Sequence, residues 1–168
     1  MENSAALMAP DSRAAKIALS PGLSLREVAR TIDIARSNLA LALMESGELD
    51  EAETLTRQVL DQRRARHGEL DPRTLASRQK LALLFDARGD HPATEAEARQ
   101  TWEQHVQVLG ATNIGTLMIR QTLANALLQQ GRLDEAEPHL RATLDGFQTQ
   151  LGEDHAHTLS ALSSLAFL

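Results

Sequence analysis

The chain has 168 residues and a net charge of −6, with 42% apolar, 24% charged and 2% aromatic residues and neither tyrosine nor cysteine. The length suits a single domain. The acidic balance argues against a broad basic face for non-specific nucleic-acid binding, and the lack of cysteine excludes disulfides and thiolate metal sites and fits a reducing compartment. Glu2 and the short apolar stretch Ala5 to Ala9 do not make a signal peptide. No apolar run approaches the about 20 residues of a membrane span, so no membrane role and a cytoplasmic location are expected.

Residues 1–10 read as disordered, and residues 11–19 as a short helix before the break at Pro21-Gly22. Ser24 and Glu27 have capping-box spacing and open a helix that runs to about Ser46. Gly47 ends it, and Asp50 with Glu53 marks the next helix start. Leu55, Val59 and Leu60 give that second helix its apolar face, and Gly68 closes it. Asp71-Pro72 starts the next helix, about 72–88, with Leu75, Leu81, Ala82 and Phe85 at helical spacing before Gly89. Asp90-His91-Pro92 departs from the first copy. Its helix is expected to begin at Pro92, or later with Thr94 and Glu97 as the cap pair. A further helix leads to Gly131, Asp134 to Glu137 opens the one after it, and Leu140 and Leu144 line its apolar face up to Gly152. The last helix begins near Thr158.

These elements recur at one interval. Gly47, Gly89 and Gly131 stand 42 residues apart, as do Leu39, Leu81, Leu123 and Leu165, each followed by alanine. A fixed period in this range marks a solenoid, in which each unit buries its apolar face against its neighbours. The expected fold is all-α. About three full helix-turn-helix units span 23–68, 69–110 and 111–152, and a partial unit over 153–168 supplies one terminal first helix. Residues 1–22 form a separate N-terminal segment. Either the last helix caps the array or the chain is a piece of a longer one.

The segments LALALMESGELDEAETLTRQVL, LALLFDARGDHPATEAEARQTW and LANALLQQGRLDEAEPHLRATL resemble the tetratricopeptide repeat. The repeat length, with the connections HGELDPRT and LGEDHAHT, is similar to the kinesin-light-chain type. The resemblance implies an alpha-alpha superhelix whose first helices line a concave groove that takes a peptide or partner protein. It places Ile34, Ser37, Asn38, Leu41 and Met44 of the first unit in that groove. Ala76, Gln79, Lys80, Leu83 and Asp86 follow from the second unit. Met118, Gln121, Thr122, Asn125 and Leu128 come from the third. The family often has two asparagines before the Leu-Ala pair; only Asn38 keeps one, and the basic clamp for a C-terminal carboxylate is not in place. This mixture suits an apolar or amphipathic peptide better than a highly charged one.

Arg36, Arg78 and Arg120 stand where the family has a large apolar residue. Their expected partners are Glu53, Glu95 and Glu137, which recur at the start of each second helix. His155 and His157 with Glu153 and Asp154 have metal-ligand character, but the other units lack the pair, so a connection is the better reading. Arg63-Arg64-Ala65-Arg66-His67 closes a second helix, where positive charge suits the dipole; an anionic docking patch is the alternative. No phosphate loop, nucleophile elbow or paired acid and base is visible. The reading is a non-catalytic interaction module with no cofactor. Alternatives are a homo-oligomer that stacks through the Phe167-Leu168 end, and a regulatory part of a larger signalling protein.

Overall fold

The computed structural model describes residues 24–168; the segment 1–22, with its expected disorder and short helix, lies outside the described residues. Seven helices and no strands occur among the described residues: α1 (Leu25–Ser46), α2 (Leu49–His67), α3 (Pro72–Ala87), α4 (His91–Leu109), α5 (Ile114–Gln129), α6 (Leu133–Leu151) and α7 (Ala156–Leu165).

The helix boundaries follow from local chemistry. Ser24 and Glu27 form the reciprocal capping box, the Ser24 hydroxyl accepting from the Glu27 N–H and the Glu27 carboxylate accepting from the Ser24 N–H. Asp71, Asn113 and His155 occupy one N-cap position in three successive units, each accepting through its side chain from the N–H two residues on. In the first and third units the caps of the second helices lie two residues before the expected ones. Glu48 and Arg132 are the N-caps of α2 and α6 and make no side-chain cap. Asp50 and Asp134 lie instead inside the first turn, where their charge meets the positive helix end. In the middle copy Asp90 caps α4 by accepting from the Ala93 N–H, so the helix opens at His91, ahead of both expected starts.

The tight turns need glycine. Gly89 has φ +73° and Asp90 N–H donates to the Phe85 carbonyl across the turn, the geometry of a left-handed helix end. Gly68 is more demanding, with φ 88° and ψ 170°, a region that side chains essentially do not enter.

Each helix packs on the next in chain order, and α3 also packs directly on α5. No two second helices come as close to each other. First helices therefore meet on the inner side of the curve, as α3 and α5 do, and α1 and α7 hold the same place in their own units. At the contacts inside a unit small residues recur: Ala40, Ala82 and Ala124 on the inner helices, Ala52, Thr94 and Ala136 on the outer ones, all buried. Small side chains let helix axes approach, and the larger Ile119, Leu123, Leu127 and Leu140 fill the space between units. A second cluster of Leu117, Leu144, Phe147 and Ala161 joins α5, α6 and α7.

Candidate functional site: the inner face of the array

The inner helices present a strip whose chemistry changes along the array. In α1, Ile34, Asn38 and Leu41 are exposed and Met44 is half-buried. In α3, Ala76, Leu83 and Asp86 are exposed or half-exposed and Gln79 and Lys80 half-buried. In α5, Met118, Asn125 and Leu128 are half-buried. Three of the expected groove residues point between helices instead. Ser37 is buried and accepts from Arg63 Nη2 at 3.0 Å. Gln121 is buried and donates to the Ser160 hydroxyl at 3.0 Å, and the buried Thr122 hydroxyl donates to the Met118 carbonyl.

Electrostatics on the strip follow from partial burial. Burial lowers the Lys80 pKa, and the nearby Arg63 charge adds to this. Burial raises the Asp86 pKa, against a smaller opposing effect of His91. The Asn125 side-chain oxygen is buried without a hydrogen-bond partner. An orphan amide acceptor costs free energy until a donor reaches it.

The recurring arginines do not pair with the glutamates expected. Arg78 is buried and donates to Glu97 at 2.7 Å, to Gln104 at 3.1 Å and to Gln100. Arg36 donates to Gln62. Arg120 donates to His139 and lies over the Trp102 ring, 5.4 Å from its centre. Glu53, Glu95 and Glu137 instead pair with Arg57, Arg99 and Arg141 four residues on in their own helices. Glu53 also takes Arg88, and Glu95 takes Arg132 and Gln130, which tie one unit to the next. Burial alone would raise the Glu95 pKa; Arg99, Gln130 and Arg132 together outweigh it and hold the carboxyl below its usual range.

His155 and His157 do not face a common ion. His155 Nδ1 caps α7 by accepting from the His157 N–H, while the His157 ring stacks on Phe147 at 5.4 Å. Among the described residues no group of three or more potential ligands converges on a metal position. No helix among them is long and apolar enough to cross a membrane.

Sequence reasoning did not see a cleft at the first unit. It has a volume of about 730 Å³ and lies where the opening turns of α1 meet the end of α2 and the start of α3. Its available signal was Arg26 and Arg30 one helical turn apart, close to the basic run at the end of α2.

Tandem antiparallel helix pairs, curled with one helix of each pair inward, define an α-solenoid of the kind that presents an extended binding surface. A tetratricopeptide-repeat profile matches residues 31–101 and 114–168, and the chain belongs to that family. Solved structures share the fold. Two crystal structures of kinesin light chain TPR-like repeats from Podosopora anserina, one of them a point variant, each align with a TM-score of 0.72 at 23% identity. They cover 79% of this chain, and 62% and 63% of those chains. BtubC (BKLC) from P. vanneervenii aligns with a TM-score of 0.68 at 23% identity over 77% of this chain and 51% of that one. The chain thus spans between half and two thirds of the length of these structures. No curated protein matches it.

Proposed function

We propose that the chain is a non-catalytic interaction module that holds an extended or helical peptide segment of a partner protein against the inner face of α1, α3 and α5. One observation carries the reading: Leu41, Leu83 and Asn125 occupy one register position on three adjacent inner helices, the leucines exposed and the asparagine with an unpartnered buried acceptor. Apolar side chains of the peptide would cover Ile34, Leu41 and Leu83, while the half-buried Asn125 side chain would turn outward to accept from a backbone N–H. Lys80 and Gln79 would fix register. Tetratricopeptide repeats in general bind protein partners, and this is the class of partner proposed. A cytoplasmic location belongs to the same reading and rests on the cysteine-free sequence.

The test is selection of peptides from a displayed library on the full chain, followed by fluorescence anisotropy. Leu41→Glu combined with Leu83→Glu, both at exposed positions, should abolish capture while leaving helicity and oligomeric state intact. Capture that survives the double substitution would move the binding surface off the inner face.

Self-association through α7 is a second reading, favoured by one comparison. Leu159 is 49% exposed, while its counterparts Leu75 and Leu117 are at most 2% exposed because an outer helix covers them. Light scattering across a concentration series would report it, and a substitution at Phe167, 81% exposed, should then restore a monomer.

A further inference from the structure

The cleft at the first unit interrupts a pattern that the rest of the chain keeps. In the third unit, Leu117 and Phe147 pack together and close the end of the helix pair. One period and two periods earlier stand Leu75 with His105, both buried, and then Asp33 with Arg63. The first unit therefore has charge where its counterparts have core. It also has extra reach: Arg30 is the counterpart of Pro72 and Ile114, which open α3 and α5, yet α1 opens earlier, at Leu25. The overhanging turn forms one wall of the cleft.

Five guanidiniums line the cleft: Arg26 and Arg30 from α1, Arg63 and Arg66 from α2, and Arg73 from α3. Two carboxylates sit against them. Asp33 accepts from Arg66 at 2.7 Å, and Asp71 accepts from Arg73 through both of its oxygens at 2.9 Å. Arg63 is anchored by neutral acceptors, the hydroxyls of Ser77 and Ser37 and the Arg73 carbonyl. Burial lowers its pKa, Asp33 partly restores it, and Arg73 lowers it further. Among the described residues no acid pairs with Arg26 or Arg30. Leu25, Ala29 and Ile34 give the same cleft an apolar side.

A terminal solenoid unit needs a polar outer face, but charges of either sign provide that. Here one sign is concentrated on a chain whose net charge is −6. The volume falls in the range of small-molecule sites, and residues of three helices wall it. Guanidinium forks suit phosphate oxygens in a paired geometry.

We infer that this cleft is a binding site for a small organic polyphosphate, with phosphate groups held by Arg26, Arg30 and the free edges of Arg63 and Arg66, and an apolar or flat moiety against Leu25, Ala29 and Ile34. The site borders the inner groove at Ile34, while the arginines that would hold phosphate lie outside that groove. The basic run at the end of α2 then has a role beyond complementing its helix dipole.

Titration calorimetry on the full chain at low salt, with pyrophosphate, ATP and adenosine as probes, tests this. Pyrophosphate and ATP should bind saturably with one site, more weakly as salt is raised, and adenosine should not compete. Arg26→Gln with Arg30→Gln should weaken ATP binding by about tenfold or more; Arg141→Gln, on α6, should leave it unchanged. Arg26→Gln alone gives the same direction of change if the double variant loses helicity. Absence of saturable binding by both phosphates would overturn the proposal. So would equal loss in Arg141→Gln, or competition by adenosine at ATP-like concentration. Displacement of ATP by a lower concentration of a glutamate-rich peptide would assign the cleft to an acidic protein segment and equally overturn it.

Discussion

Replacing Arg78 and replacing its partner should have opposite consequences. The Arg78 side chain is 5% exposed and its guanidinium is surrounded by Glu97, Gln100 and Gln104 of α4, with Glu97 itself 17% exposed. Glu97→Ala strips the only charge among the described residues that pairs with a buried cation and leaves two neutral amides. Breaking such a pair from one side costs about 3–5 kcal/mol, and water that reaches the edge of Glu97 places this case near about 3 kcal/mol. For a chain of this size that corresponds to a fall in Tm of about 6–12 °C. Arg78→Met removes the cation with the pair. Its apolar side chain then occupies space against Leu75, Leu81 and Ala82, all buried on α3, and desolvation of the charge is no longer required. The outcome should be an unchanged or higher Tm. Thermal and urea unfolding followed by circular dichroism would decide. If Arg78→Met lowers Tm more than Glu97→Ala does, the buried pair is a net source of stability and the desolvation argument is wrong here.

Gly146→Ala should destabilise α6 even though alanine favours helix. An added Cβ would lie 2.6 Å and 2.7 Å from the two methyls of Leu117, and overpacking of that size outweighs the propensity gain, for a net loss of about 1–2 kcal/mol in urea unfolding. Gly68→Ala and Gly47→Ala both add a methyl into open space, so only backbone strain separates them. The first, at ψ 170°, should lose more stability than the second, at ψ 6°, by about 1 kcal/mol. Burial lowers the pKa of His105, with a smaller opposing contribution from the Gly115 backbone, and burial with the Arg120 and Arg99 charges lowers that of His139. The unfolded chain then takes up protons first. Stability is full above about pH 6.5 and falls as pH drops through the lowered folded values. His105→Phe, which copies Phe147 one period on, should flatten that fall in urea midpoints; an unaltered slope would remove His105 from the explanation.

The period made most of the fold legible. Glycines at Gly47, Gly89 and Gly131, the caps at Ser24 and Asp71, and the helix pairs all follow from residues that act on their own backbone. The arginine partners were not legible in the same way. Glu95 and Glu97 are two residues apart on α4, which turns them by about 200° around the helix axis. A period gives the register between copies but not the rotation of one helix against another, so Arg78 met Glu97 while Glu95 faced Arg99 and Arg132. The same limit explains the inner face. Leu41 and Leu83 are exposed, whereas Ser37, Gln121 and Thr122, a step round the helix, are buried. The cleft escaped notice for another reason: it is built from residues that break the period, Asp33 and Arg63, and a search for repeats discards such positions.

The ties from Glu53 to Arg88 and from Glu95 to Arg132 bear on how the array answers force. The longest side-chain hydrogen bonds among the described residues, Gln121 to Ser160 and Gln130 to His91, span 39 positions of sequence. A load applied to the two ends is therefore carried in series, joint by joint. The protein should behave as a short spring whose stiffness comes from the apolar packing between units, with a salt-dependent share from those ion pairs. Salt that screens them would soften it while leaving the helices themselves intact.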